Sequence, residues 1–221
     1  YFDDQTREIS GFDIDLMREV CKTLNVKAEF IGVPFDAIIS GLNNDKYDCL
    51  ISSMTITPER SQAVLFSQPY YDAGQSIAVS ADDKTIKSLD DLTGKRIGAQ
   101  LGTTGELMAK KIANATVKSF DNIGEAFRDM ANGNLDAIIN DKPVSQRIIM
   151  ARGKAKLVGP ILNAEQYGIA IRKDEIRLKK AIDDALSDIK VRGVYTKINE
   201  KWFGAPIAME TQKSFLSTLW N

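Results

Sequence analysis

Phe35-Asp36-Ala37-Ile38-Ile39-Ser40-Gly41-Leu42-Asn43-Asn44-Asp45-Lys46-Tyr47-Asp48-Cys49-Leu50-Ile51-Ser52-Ser53 can be laid without a gap on Ile123-Gly124-Glu125-Ala126-Phe127-Arg128-Asp129-Met130-Ala131-Asn132-Gly133-Asn134-Leu135-Asp136-Ala137-Ile138-Ile139-Asn140-Asp141. Each copy has apolar residues at helical spacing, a Gly/Asn stop, and an aspartate that opens a short apolar strand. The match continues upstream: Leu16-Met17 through Phe30 corresponds to Leu107-Met108 through Phe120, one residue shorter in the second copy. The chain therefore reads as two related halves. Ser53 and Asp141 fall at the same place, just past the end of equivalent strands. Ligands of open α/β sheets gather outside the carboxyl ends of parallel strands. Two such lobes facing each other would put these residues on opposite walls of one cleft.

The stretch that follows the first copy, Ile51-Ser52-Ser53-Met54-Thr55-Ile56-Thr57-Pro58-Glu59-Arg60, runs from an apolar strand through hydroxyls into a short helical turn. Thr57 is a good N-cap and Pro58 suits the first helical turn. Arg60 sits near that N-terminus, where a cation opposes the helix dipole. Its planar fork beside hydroxyls and free N–H groups suits a carboxylate; a solvated arginine is the alternative. Asp141 suits an ammonium. It also fits as N-cap of a helix starting at Lys142-Pro143, and one carboxylate can do both. Together the two residues imply a free amino acid as ligand.

The halves are unequal in one respect. The second has a strand, 95–100, and a loop, Leu101-Gly102-Thr103-Thr104-Gly105, ahead of its first helix. The first has only Tyr1 to Ser10 there, so a further strand is expected upstream of Tyr1, with a permuted or complemented chain as the other possibility. A net charge of -1 gives no reason to expect nucleic acid or an anionic membrane as partner. The chain contains no histidine, which excludes a Ser-His-Asp triad and the commonest metal ligand. No metal or cofactor is expected. Cys21 lies on the apolar stripe Ile14, Met17, Val20, Cys21, Leu24, and Cys49 in a strand; two buried thiols or a disulfide are both compatible.

Helices are expected at 15–25, 36–43, 106–113, 123–131, 143–151, 175–191 and 195–202. Strands are expected at 27–31, 48–51, 75–80, 96–100, 116–120, 136–140 and 167–172. Their alternation indicates parallel α/β layers. The strands near Gln75 and Gly168 fall outside the repeat and read as two crossovers between the lobes. This places residues 1–74 and 169–221 in lobe 1 and 75–168 in lobe 2, with clam-shell closure about the crossovers.

Gly11-Phe12-Asp13-Ile14-Asp15-Leu16, Ile56-Thr57-Pro58-Glu59-Arg60, Phe66-Ser67-Gln68-Pro69-Tyr70-Tyr71, Gly102-Thr103-Thr104-Gly105, Tyr167-Gly168-Ile169-Ala170 and Lys201-Trp202-Phe203-Gly204 are weak motifs singly. In this order and spacing the chain resembles the polar amino-acid-binding proteins of bacterial ABC transporters, extracellular solute-binding family 3. The resemblance implies an α/β, two-lobed, type II periplasmic-binding-protein-like fold, each lobe a mainly parallel sheet flanked by helices. It implies that Arg60, Thr55 and the Thr104 amide take the ligand carboxylate, and that Asp141 and Ser53 take its ammonium. Phe35, Ser52, Gln100, Thr103 and Asn140 would face its side chain. Ser52-Ser53 points toward arginine, lysine or histidine, and the neutral amides toward glutamine. The family also uses a loop that would precede Tyr1. A membrane ABC permease is the implied partner, a monomer the implied state, and a periplasmic or extracellular place, with or without a lipid anchor, the implied location. The tail after Gly204 is expected to add a helix on lobe 1. A receptor's sensor module would use the same jaws. An enzyme on this scaffold, as in dehydratase-like relatives, would need a carboxylic acid in the cleft beyond Asp141.

Overall fold

A computed structural model of the chain describes residues 9–204. Helix α1 (Phe12–Thr23) turns Phe12, Ile14, Leu16, Met17, Val20 and Cys21 inward, the stripe expected from their spacing. A 3-10 turn, Phe35–Ala37, leads into α2 (Ile38–Asn43), β1 (Cys49–Leu50), α3 (Pro58–Ala63) and β2 (Leu65–Phe66). Next come β3 (Tyr71–Ala73), β4 (Gln75–Ser80), β5 (Arg96–Gln100), α4 (Thr104–Ala109) and β6 (Thr116–Phe120). The second copy of the repeat supplies α5 (Ile123–Ala131), capped by the Asn122 side chain, and β7 (Ala137–Asp141). Helix α6 (Lys142–Arg152), β8 (Ala155–Val158), β9 (Glu165–Tyr167), β10 (Ala170–Ile171), α7 (Ile176–Val191) and α8 (Val194–Phe203) complete the described chain. The expected docked tail lies outside the described residues.

The elements form two α/β lobes. One is built on a five-stranded sheet of order β6-β5-β7-β4-β8, and the other on a three-stranded sheet of order β1-β10-β2. In the larger sheet β5 runs parallel to β6 and β7, while β4 runs antiparallel to β7 and β8. Apolar residues pack on both of its faces: Ile77, Val79, Ile97 and Ile139 on one, Ala78, Phe127, Met130 and Ile138 on the other. The first lobe packs α1, α7 and α8 on one side of its sheet, around Leu16, Val20, Ile171, Ile182 and Leu186.

The class is the expected one, with sheets more mixed than the alternation of elements suggested. In the described first lobe β10 returns antiparallel between β1 and β2. Residues 27–31 form no strand. Their counterpart β6 is held by its ladder with β5, and among the described residues no ladder includes 27–31. The crossover assignment of 75–80 also needs correction. This strand lies within the second lobe, ladder-bonded on both edges, with Ile77, Ala78 and Val79 fully buried. The actual connections are β3 and β9, which pair antiparallel from Tyr71↔Tyr167 to Ala73↔Glu165. Beyond this pair the two segments nearly touch at Gly74. A Cβ there would stand 2.1 Å from the Asn163 carbonyl oxygen, so only glycine permits the approach.

Candidate functional site

Arg60 is the third residue of α3, and the Thr57 hydroxyl accepts its backbone N–H at 3.1 Å, the expected cap. Its guanidinium leaves the helix. Nη1 donates to the Thr55 carbonyl at 2.8 Å, Nη2 donates to the Gly102 carbonyl at 3.1 Å, and the group stands 5.5 Å from the Phe35 ring centroid. Burial lowers its pKa, opposed by the nearby Asp141 and Glu165 carboxylates. The Gly102 contact crosses between lobes. Gly102 has φ +76, and a Cβ on it would come within 3.1 Å of Asp36, so the loop after β5 closes on the 35–37 turn.

Asp141 occupies the N-cap position of α6 but makes no side-chain capping bond. Its carboxylate instead accepts from Gln75 Nε2 and from the Tyr167 hydroxyl. Burial raises its pKa to about 6; the Tyr167 and Gln75 hydrogen bonds and Arg60 act downward, and Glu165 acts upward. Tyr167 is pushed well above its ordinary value by burial and by the Asp141 charge.

Glu165 was not anticipated from the sequence. It is 7% exposed. Its Oε2 accepts from the Thr55 hydroxyl at 2.7 Å and from the Thr104 hydroxyl at 3.1 Å, one from each lobe. Its Oε1 accepts from Asn163 Nδ2 at 2.9 Å. Gln75 Nε2 lies 3.3 Å and 3.2 Å from the two Glu165 oxygens and so bridges Glu165 to Asp141. Gln75 Nε2 also donates to Thr104 Oγ1 at 3.0 Å. A signal for Glu165 was available: it stands two residues before Tyr167, and the alternation of a strand puts both side chains on one face.

The structure thus gathers Arg60, Thr55, Phe35, Thr104 and Asp141 at one cleft between the lobes. Thr103 caps α4 at its edge, accepting the Glu106 N–H at 3.2 Å. Thr104 opens α4, so its N–H belongs to a first helical turn, where no intrahelical acceptor is available, rather than to a free loop. Ser52 is exposed. Three expected residues are committed within their own lobes. Gln100 Nε2 donates to the Asp121 carbonyl at 3.0 Å, and Asn140 Nδ2 to the Ser145 hydroxyl at 3.0 Å. Asn140 precedes Asp141 in the strand, and adjacent side chains of a strand point to opposite faces. The Ser53 hydroxyl donates to Asp13 Oδ2 at 3.2 Å.

Ser53 has φ +49. This left-handed conformation is held by its N–H, which donates to Asp13 Oδ2 at 2.6 Å and to the Tyr70 oxygen at 3.1 Å. The Tyr70 hydroxyl donates to Asp13 Oδ1 at 3.0 Å. Burial raises the Asp13 pKa despite these bonds. Asp13 stands on the apolar stripe of α1 with Leu16, Met17 and Val20, and an acid on such a stripe was the missed clue. Both cysteines are free thiols, raised by burial, Cys49 to about 12.

A hinged pair of α/β lobes with an arginine and a buried acid at the cleft defines a binding-protein scaffold. Residues 1–205 match the family model of bacterial extracellular solute-binding proteins, family 3, and the chain belongs to that family. It is 37% identical over 202 residues to the "ABC transporter arginine-binding protein 1" of Escherichia coli (strain K12), spanning 89% of this chain and 82% of that protein. It is 33% identical to a "Probable histidine-binding protein" of Neisseria gonorrhoeae, spanning 90% of this chain and 77% of that one. Among solved structures it resembles "An ancestral arginine-binding protein bound to arginine", with TM-score 0.88, 44% identity and 92% of each chain covered. Among the described residues no helix is long and apolar enough to cross a membrane.

Proposed function

We propose that the chain binds one free polar or basic L-amino acid between its lobes and delivers it to a membrane ABC permease. What supports this reading is that Arg60 reaches across to the Gly102 carbonyl at 3.1 Å, near enough to Asp141 for the two charges to act on each other. Arg60 gives its fork to the ligand carboxylate, helped by Thr55 and the Thr104 N–H, and Asp141 takes the ammonium. Phe35 and Thr103 border the side-chain end, with Ser52 at the rim. Arginine, lysine, histidine and glutamine are the candidate ligands. Lobe 1 comprises 1–74 and 169–221, lobe 2 comprises 75–168, and closure pivots where β3 and β9 pair. The protein works as a monomer outside the cytoplasmic membrane, with or without a lipid anchor. The reported relatives are binding proteins, which favours transport over catalysis.

Calorimetric titration of the protein with each free amino acid tests this reading. Saturable binding of a polar or basic ligand, with a smaller radius of gyration by X-ray scattering, is the expected result. Preferential binding of leucine, or an unchanged envelope at saturation, would count against it.

A further inference from the structure

We propose that Glu165 is a specificity-determining residue: its buried charge makes the cleft favour amino acids that carry a net positive charge. This rests on the amino-acid reading of the cleft above. The observation behind it is a charge imbalance. The buried ionisable side chains among the described residues include Glu106, Asp141 and Glu165. Glu106 is answered by Lys110 at 2.8 Å. The partners of Asp141 and Glu165 among the described residues are neutral: Gln75, Tyr167, Thr55, Thr104 and Asn163. Arg60 likewise donates to backbone carbonyls.

A zwitterionic ligand places its carboxylate on Arg60 and its ammonium on Asp141. Both pairs are then satisfied, and the charge of Glu165 is left over in a site where water screens it poorly. Hydroxyls and amides solvate that carboxylate but do not neutralise it. A ligand with a cationic side chain brings the missing charge; a neutral one does not. Asp13, behind Ser53, adds an acid of the same sign in the first lobe. Glu165 therefore acts at a distance, through the field of the closed cleft, and this separates charge selection from side-chain shape.

Arginine and citrulline, nearly equal in shape and unequal in charge, are the probes. Dissociation constants for both are measured by calorimetry on the full chain and on Glu165→Gln, which keeps an oxygen acceptor for the threonine hydroxyls. The expected result is that wild type prefers arginine and that Glu165→Gln reduces the arginine-over-citrulline ratio by about tenfold. Glu165→Asp, which keeps the charge, should preserve the ratio. Equal weakening of both ligands by Glu165→Gln would assign Glu165 a purely structural part and overturn the proposal. So would equal affinities in wild type, a readout that stands even if the variant does not fold. Binding of neither probe, nor of any other amino acid, by wild type would instead remove the amino-acid reading on which the proposal rests.

Discussion

Ser53 and Asp141 hold equivalent places in the two copies of the repeat, yet they meet the cleft with opposite chemistry. Each is tied to a tyrosine of the crossing segments: Ser53 through its N–H to Tyr70, Asp141 through its carboxylate to Tyr167. The two tyrosine rings lie 6.1 Å apart. In lobe 2 the acid is the strand-end residue itself. In lobe 1 the acid is Asp13, brought in from α1, and the strand-end residue is what that acid positions. The same fold position thus supplies a charge on one wall and a shaped backbone on the other. A zwitterionic ligand needs different groups at its two ends, and a duplicated half can provide them only by diverging at such places.

The largest expected effect comes from removing the cation that the acids face. Arg60→Ala should weaken amino-acid binding by about 3–5 kcal/mol, because a desolvated ligand carboxylate would lose its charged partner. Calorimetry reads this directly, and an unchanged dissociation constant would remove Arg60 from the site. Asp141→Asn should follow, with a loss of about 1.5–3 kcal/mol for a charge-assisted hydrogen bond.

Asp141 should also make binding sensitive to pH. Its folded pKa is raised to about 6 from 3.8. Only the ionised form pairs with an ammonium, so affinity should fall as pH falls through that value, by about tenfold between roughly pH 7 and pH 5. Stability of the ligand-free protein should run the other way. Because the folded state holds this proton more tightly than the unfolded chain, the contribution from Asp141 is present below the unfolded pKa and is lost as pH rises through the folded one. Asp141→Asn should flatten both dependences. Titrations in buffers of different ionisation heat would detect the proton released on binding.

Ser53→Ala should have the smallest effect, about 0.5–1 kcal/mol on binding, since only the 3.2 Å hydroxyl bond to Asp13 is lost and the N–H bond remains. A loss as large as that of Asp141→Asn would make the Ser53 hydroxyl itself a ligand contact and erase the asymmetry between the walls.

Much of the site was legible because each signal is local in sequence. The Thr57 cap, Pro58 and Arg60 lie within one helical turn, and Asp141 closes a repeat whose periodicity can be counted. The helix of 123–131 and the strands at 75–80, 96–100 and 116–120 have the expected bounds for the same reason. Glu165, Gln75, Tyr167 and the pairing of Asp13 with Ser53 escaped, since each contact joins residues far apart in the chain. By itself the sequence determined two related α/β halves, their element order, an arginine in a capped helical turn and an aspartate at a strand end. Only the tertiary structure decided that 75–80 lies inside the second lobe's sheet, that β3 and β9 form the crossing, and that Asp141 turns from its helix toward Gln75 and Tyr167. The physical reason is that periodicity and capping act over a few residues, whereas ladder partners, burial and unbalanced charge exist only once distant segments share one low-dielectric interior.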